Sequence, residues 1–128
     1  MKKVFQVKKI KYLATILSLV LAPLAMSGEI SGKVARVING DTIKILIHEK
    51  EFTVILAGVD CPDVNLPSGI AARKFTSRLI GNRVVTILTR EMDPGGRTIG
   101  EVLLQDGRDL GSELIKSGHC AASPATPG

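Results

Sequence analysis

Alternating apolar and polar positions predict β-strands in the first part of the chain that follows residue 28. Three such runs occupy residues 30–38, 42–48 and 51–59. In the second run every second residue is apolar (Ile43, Ile45 and Ile47), the pattern of a strand with one buried face. Asn39-Gly40 separates the first two runs, and this pair predicts a tight hairpin turn because both residues accept positive φ.

A change to helical spacing follows, and then a return to strands. The pattern predicts helices over 69–80 and 110–117 and strands over 84–88 and 98–104. Ser68 and Asp109 are the expected helix caps. The order is three strands, a helix, two strands and a helix. This is the order of an OB-fold, a mainly β (α+β) five-stranded barrel with a helix between its third and fourth strands.

The positive net charge of the chain lies almost entirely in its first eleven residues. The chain of 128 residues has 17 Lys and Arg against 12 Asp and Glu, a net charge of +5. Five of the lysines lie in the first eleven residues, and from Gly28 onward 12 basic residues balance 12 acidic ones. Only Phe52 and Phe75 remain as aromatic residues there. Composition therefore excludes a strongly basic nucleic-acid binder and a platform of stacked aromatic rings.

The first 27 residues have the order of a secretory signal peptide. A cationic stretch precedes an uncharged apolar run from Tyr12 to Met26, and Ala25-Met26-Ser27 supplies small residues at a cleavage site. The alternative is an uncleaved anchor, but the run of ~15 residues is shorter than the ~20 that span a bilayer. We predict a signal peptide (1–27), a mature domain (28–120) and a flexible tail (121–128). The mature protein would be secreted or periplasmic, with no stable membrane anchor.

Three carboxylates lie where strands end. Asp41 follows the Asn-Gly turn, Asp60 follows the third strand, and Asp63 comes three residues later. Loops at the end of a small barrel converge, and carboxylates there would suit Ca²⁺. The alternative is that these side chains only stabilise turns. Arg97, after Gly95-Gly96, could bind a phosphate or could be an ordinary surface arginine.

Four segments in order resemble the staphylococcal nuclease-like (thermonuclease) family. Its motifs VxDGDT, LxGIDxPE, DxYGRxLG and DGxxLNxxLVxxG are similar to residues 32–43, 56–63, 93–100 and 106–118. The resemblance covers residues 30 to about 120, and it implies the same OB barrel. It also implies Ca²⁺-dependent hydrolysis of phosphodiester bonds in DNA and RNA by a monomer.

The resemblance also implies the role of each site residue. Asp41 and Asp60 match the metal carboxylates of the family, and Cys61 matches the residue whose backbone carbonyl binds the metal. Asp63 matches the general base, which is a Glu in the family, and Arg97 matches one of two arginines that bind the scissile phosphate. The resemblance places the chain after the second helix beside the Asp60 loop. Together with the oxidising compartment, this predicts a Cys61–Cys120 disulfide.

The chain departs from the family at three positions of this site. Ile55 stands where the family has its other phosphate-binding arginine, Asp63 is one methylene shorter than a Glu, and Gly95 replaces a tyrosine. Two hypotheses follow. The protein is a weakened Ca²⁺-dependent nuclease, or it is a non-catalytic OB-fold module for binding or structure.

Overall fold

The alternating segments close into a barrel in the computed structural model, which describes residues 28–124. The strands and helices in chain order are β1 (Gly28–Asn39), β2 (Thr42–Ile47), β3 (Lys50–Leu56), β4 (Val59–Asp60), α1 (Pro67–Ile80), β5 (Val84–Met92), β6 (Thr98–Leu103), α2 (Leu110–Lys116) and β7 (Ala121–Ala122). The barrel order is β1-β2-β3-β6-β5, with β5 paired back to β1. Only β3 and β6 are parallel within this barrel. The predicted OB-type barrel with two helices is confirmed.

The core lies inside the barrel and beneath the two helices. It consists of apolar side chains from β1, β2, β3, β5 and β6 together with residues of α1 and α2. The fully buried members include Ile43, Ile45, Val54, Ile87, Val102, Leu110 and Leu114. Each strand contributes alternate residues, because successive side chains point to opposite faces of the sheet.

The positive φ values predicted for the turn before β2 occur instead in the turn before β3. The β1–β2 hairpin forms as predicted, but Asn39 and Gly40 do not adopt positive φ. The positive values fall instead on His48 (50°) and Glu49 (68°) in the next hairpin. Gly40 is required for close packing, because a Cβ there would lie 2.9 Å from the Cys61 sulfur.

The helices differ from the prediction at one cap and on one face. Helix α1 begins at Pro67, so Ser68 is inside the helix and does not cap it. Proline is favoured at this first position because its φ is already helical and it lacks the unpaired N–H. Asp109 does cap α2, where its carboxylate accepts from the Ser112 backbone N–H at 2.9 Å. On α2 the spacing of Leu110, Leu114 and Ile115 predicts three inward-facing residues, but only the two leucines are buried and Ile115 is exposed.

The described residues begin after the predicted signal peptide and end within the predicted tail. Ala121 and Ala122, expected to begin a flexible tail, form β7 and pair with Asp60 and Val59. The predicted signal peptide and the end of the predicted tail, residues 125–128, lie outside the described residues. Neither helix within residues 28–124 is long and apolar enough to cross a membrane.

Candidate active site

The turn that carries Asp41 is fixed on three sides. The backbone carbonyl of Asp41 accepts from the Leu56 N–H at the end of β3 (2.9 Å), and its N–H donates to the Asn39 side-chain oxygen (3.0 Å). The neighbouring Gly40 carbonyl accepts from the buried Thr76 hydroxyl of α1 at 2.8 Å. The barrel and the helix therefore both set the position of Asp41.

The Asp41 carboxylate reaches the segment that contains Asp60. Its Oδ2 accepts from the Cys61 backbone N–H at 3.1 Å, and its Oδ1 accepts from the Thr42 hydroxyl at 3.2 Å. The peptide bond between Asp60 and Cys61 thus lies against Asp41. Asp60 itself is exposed on β4, opposite Ala121. The structure therefore places Asp41 next to the segment that carries Asp60 and Cys61, twenty residues away in sequence.

A disulfide closes the other side of this segment. Cys61 is bonded to Cys120, which follows α2 and is buried in the core. An open cavity of about 370 Å³ lies beside the bond. It is lined by residues of the β4 segment and of the chain after α2: Asp60, Cys61, Pro62, Gly118, His119, Cys120 and Ala121.

His119 also lines this cavity, although its place just after α2 is that of an ordinary helix-end histidine. Its Nδ1 lies 2.7 Å from the Ser117 hydroxyl oxygen, and that hydroxyl donates to the Leu114 carbonyl at 3.0 Å. Since the hydroxyl proton is already engaged, we assign the Nδ1–H of the ring as the donor to the Ser117 oxygen. The ring also packs on Phe75, with centroids 4.6 Å apart. In the sequence, the only sign that His119 lies beside the disulfide is that it directly precedes Cys120.

Asp63 is held in a local turn ahead of α1. Its side-chain Oδ1 accepts from the Asn65 N–H at 2.9 Å, and its carbonyl accepts from the Leu66 N–H at 2.9 Å. A Cβ at Gly69 would lie 1.8 Å from that carbonyl oxygen, so the first turn of α1 packs directly on Asp63. The side chain is exposed, and its described contact is with its own turn rather than with Asp41.

Asp93 organises the loop that presents Arg97. Its two carboxylate oxygens accept from the Arg97 backbone N–H (2.8 Å) and from the Arg97 Nε (2.6 Å). The first of these hydrogen bonds contributes most to lowering the pKa of Asp93, and the guanidinium adds to it. Asp93 is therefore ionised at neutral pH and orients Arg97. The pairing engages Nε, while the exposed guanidinium still presents its two terminal nitrogens.

Ile55 lies on the outer face of the barrel between the elements that carry Asp41 and Arg97. Its partners across the sheet are Thr42, which directly follows Asp41, and Ile99, two residues after Arg97. The side chain is half-buried, whereas its neighbours in the strand, Val54 and Leu56, point into the core. The strand order therefore makes residue 55 the central position of the candidate site.

The side chains fit a metal ion only in part. Among residues 28–124, no group of three or more His, Cys, Asp and Glu side chains lies close enough to hold one. The Asp41 carboxylate accepts from the Cys61 N–H, and Asp60 directly precedes Cys61, so the candidate donors are two carboxylates on adjoining segments and the Cys61 carbonyl. Oxygen donors of this kind are those that Ca²⁺ takes, and water completes its coordination at weak sites. The donor chemistry fits calcium at a site with few protein ligands.

Comparison with known proteins finds relatives that are named as nucleases. The family model described as staphylococcal nuclease homologue matches residues 53–126. A protein named thermonuclease from Staphylococcus hyicus is 35% identical over 110 residues, which are 79% of this chain and 64% of the relative. An uncharacterized endonuclease of Escherichia coli O157:H7 is 27% identical over 108 residues, 84% of this chain and 70% of the relative. A micrococcal nuclease of Shigella flexneri is 35% identical over 71 residues, 56% of this chain and 41% of the relative.

The matched region contains the second half of β3, the Asp60–Cys61 segment, the Arg97 loop and α2, and the Asp41 turn is hydrogen-bonded to it. Motif order, barrel topology and comparison thus agree, and the chain carries a thermonuclease-like nuclease domain and belongs to the staphylococcal nuclease homologue family.

Proposed function

We propose that this protein is an exported, Ca²⁺-dependent phosphodiesterase that hydrolyses DNA and RNA with weakened activity. The observation that carries the proposal is the hydrogen bond from the Cys61 N–H to the Asp41 carboxylate, in a chain of the nuclease family. This contact joins the two segments that hold the proposed metal carboxylates. The protein would act as a secreted or periplasmic monomer on nucleic acid that it meets outside the cytoplasm.

Each proposed site residue has a distinct task. The Asp41 and Asp60 carboxylates and the Cys61 carbonyl would hold Ca²⁺. When bound, the ion would supply positive charge that neutralises the scissile phosphate. Arg97 would donate to a phosphate oxygen through its terminal nitrogens while Asp93 keeps Nε oriented. Asp63 would accept a proton from the attacking water after its side chain leaves the Asn65 N–H.

Two features support weakened rather than full activity. Ile55, at the centre of the outer face, cannot donate to the charge that develops on the phosphate. Loss of one such donor costs about 10²–10³ in rate in other enzymes. Asp63 is shorter than a glutamate and accepts from its own turn, so it must rearrange to reach water near Asp41. Both effects lower turnover without removing the proposed metal carboxylates.

A cleavage assay with the purified, oxidised protein tests the proposal. Its substrates are plasmid DNA and RNA, each with Ca²⁺ and with a chelator. We expect slow cleavage in Ca²⁺ and none in chelator. Asp41→Asn should abolish cleavage, because the amide cannot supply the charge for the ion. Asp106→Asn is the matched control, since Asp106 is exposed in the turn before α2 and pairs with Arg108; it should cleave at the wild-type rate. If a folded, Ca²⁺-binding wild type cleaves neither substrate, the non-catalytic OB-fold module is the better description.

A further inference from the structure

We propose that the Cys61–Cys120 disulfide is a redox switch on the candidate active site, opened by exchange with dithiols and closed by exchange with small-molecule disulfides. Reduction would release the segment that carries Asp60 while the barrel stays folded, and cleavage would stop. The cleavage part of this inference rests on the proposed function; the conformational part does not.

The disulfide is built into the contacts that position Asp41 and Asp60. Cys61 directly follows Asp60, and its backbone N–H donates to the Asp41 carboxylate at 3.1 Å. Its sulfur packs over Gly40, so close that a Cβ there would lie 2.9 Å from it. A change at the Cys61 side chain is therefore transmitted directly to the Asp41 turn and to the Asp60 backbone.

Little besides the disulfide fastens this segment to the chain after α2. Strands β4 and β7 have two residues each and pair only as Val59 with Ala122 and Asp60 with Ala121. One further backbone bond joins the Ser123 N–H to the Gly58 carbonyl at 3.0 Å. Two-stranded ribbons are marginal in water even when they are longer. Without the disulfide we therefore expect this pairing to open.

The barrel, in contrast, closes without the disulfide. Its five strands pair around the complete circuit, and the buried residues of β1, β2, β3, β5 and β6 fill it. Neither cysteine lies in a barrel strand, since Cys61 follows β4 and Cys120 precedes β7. Cleaving the bond should consequently change the site locally and leave the core intact.

The disulfide lies beside a cavity that is open to solvent, and a reductant would approach it from the Cys61 side. Cys61 and Cys120 line the open cavity of about 370 Å³, and Cys61 is the more exposed of the two. A thiolate of the dithiol would attack the Cys61 sulfur, forming a mixed disulfide and releasing Cys120 as a thiolate that takes up a proton. The second thiol of the reagent would then displace Cys61. Two electrons pass to the protein, giving two cysteine thiols and one oxidised, cyclic reagent.

A switch of this kind would link activity to compartment. Thiols stay reduced in the cytosol and form disulfides after export. The protein would thus be inactive where a nuclease could damage the nucleic acid of its own cell. It would become active once it is oxidised outside the cytoplasm.

Amide hydrogen exchange tests the conformational part without any need for activity. Exchange is measured on the oxidised protein and on the protein reduced with dithiothreitol. We expect reduction to accelerate exchange at the Asp60 and Cys61 amides at least tenfold. The core amides of Val85 and Ile87 should be unchanged. Equal exchange in both forms would overturn the switch, and so would acceleration throughout the barrel, because the effect would then be global unfolding.

Cleavage of DNA in Ca²⁺ under the same conditions tests the functional part. We expect at least a tenfold loss on reduction and recovery on reoxidation. The matched control is the double variant Cys61→Ser and Cys120→Ser, which retains the backbone carbonyl at residue 61. It should cleave at the low rate of the reduced protein, and dithiothreitol should not change that rate. Unchanged cleavage by the reduced, folded protein would overturn the switch. If the oxidised protein shows no Ca²⁺-dependent cleavage while exchange still responds locally, the proposed function fails and the redox-controlled opening stands.

Discussion

Replacing Ile55 with arginine should restore a phosphate contact that the chain lacks. Residue 55 lies between Thr42 and Ile99 on the outer face of the sheet. Arg97 is one strand away and two residues along, roughly 8 Å with a strand spacing of ~4.8 Å and a rise of ~3.4 Å per residue. A guanidinium on a long side chain spans that gap, so both arginines could reach one phosphate. The position is therefore suited to the substitution.

The expected gain follows from the chemistry of the added donor. Removing one such donor costs about 10²–10³ in turnover, or about 2.7–4 kcal/mol of transition-state stabilisation. We expect Ile55→Arg to raise turnover by roughly 10², because a new donor in an unadapted site recovers less than the full amount. The gain should appear in kcat, since the contact strengthens as charge develops. Stability should fall by about 1–2 kcal/mol, because the half-buried position faces outward.

The assay is the initial rate of DNA cleavage in Ca²⁺, with the melting temperature measured in parallel. Thr86→Arg is the matched control, with the same charge on the outer barrel face but on β5, opposite Leu103 at the end of β6 far from Arg97. It should leave the rate unchanged. Arg97→Ala in the Ile55→Arg background should remove most of the gain, and adding Asp63→Glu should increase it.

A folded Ile55→Arg protein that binds Ca²⁺ and cleaves no faster than the control would show that residue 55 does not limit turnover. A gain that also appears in Thr86→Arg would show the same, because it would reflect added positive charge alone. Either result would remove the argument that the site is weakened mainly at this position.

Three further predictions concern the metal, the helix contact and export. Ca²⁺ at ~10 mM should stabilise the protein by about 1.4–2.7 kcal/mol if its Kd is ~10⁻⁴–10⁻³ M, and the melting temperature should rise accordingly. Asp41→Ala should remove this rise, and an equal rise in both proteins would contradict the proposed metal site. Thr76→Val should cost about 1–3 kcal/mol in denaturant unfolding, since it leaves the Gly40 carbonyl without its buried donor, whereas Thr86→Val on the outer barrel face should cost less. The intact mass of the exported protein should show cleavage after about Ser27, and a full-length mass would argue for retention of the leader.

The arrangement of strands and helices was predictable because it depends on local patterns. Period-two alternation and the later helical spacing predicted the order of strands and helices along the chain, which is that of the barrel observed. Asp109 caps α2, as its position before an apolar run indicated. The face of α1 was less certain. Ala71, Phe75 and Leu79 share one apolar stripe, yet the deepest residues are Gly69, Ala72, Thr76 and Ile80. Sequence marks an apolar face, but the sheet packed against the helix sets its rotation.

The site divides in the same way. Sequence alone supplied the candidate residues, because their types and motif spacing resemble one family. Tertiary structure decided which of them meet. Asp41 bonds to the Cys61 N–H twenty residues away, while Asp63 turns to Asn65 and Arg97 pairs with Asp93. Such contacts depend on how a turn, a strand end and a helix end converge in space. No local pattern specifies that convergence, since it is set by closure of the barrel and the packing of α1 and α2 on it.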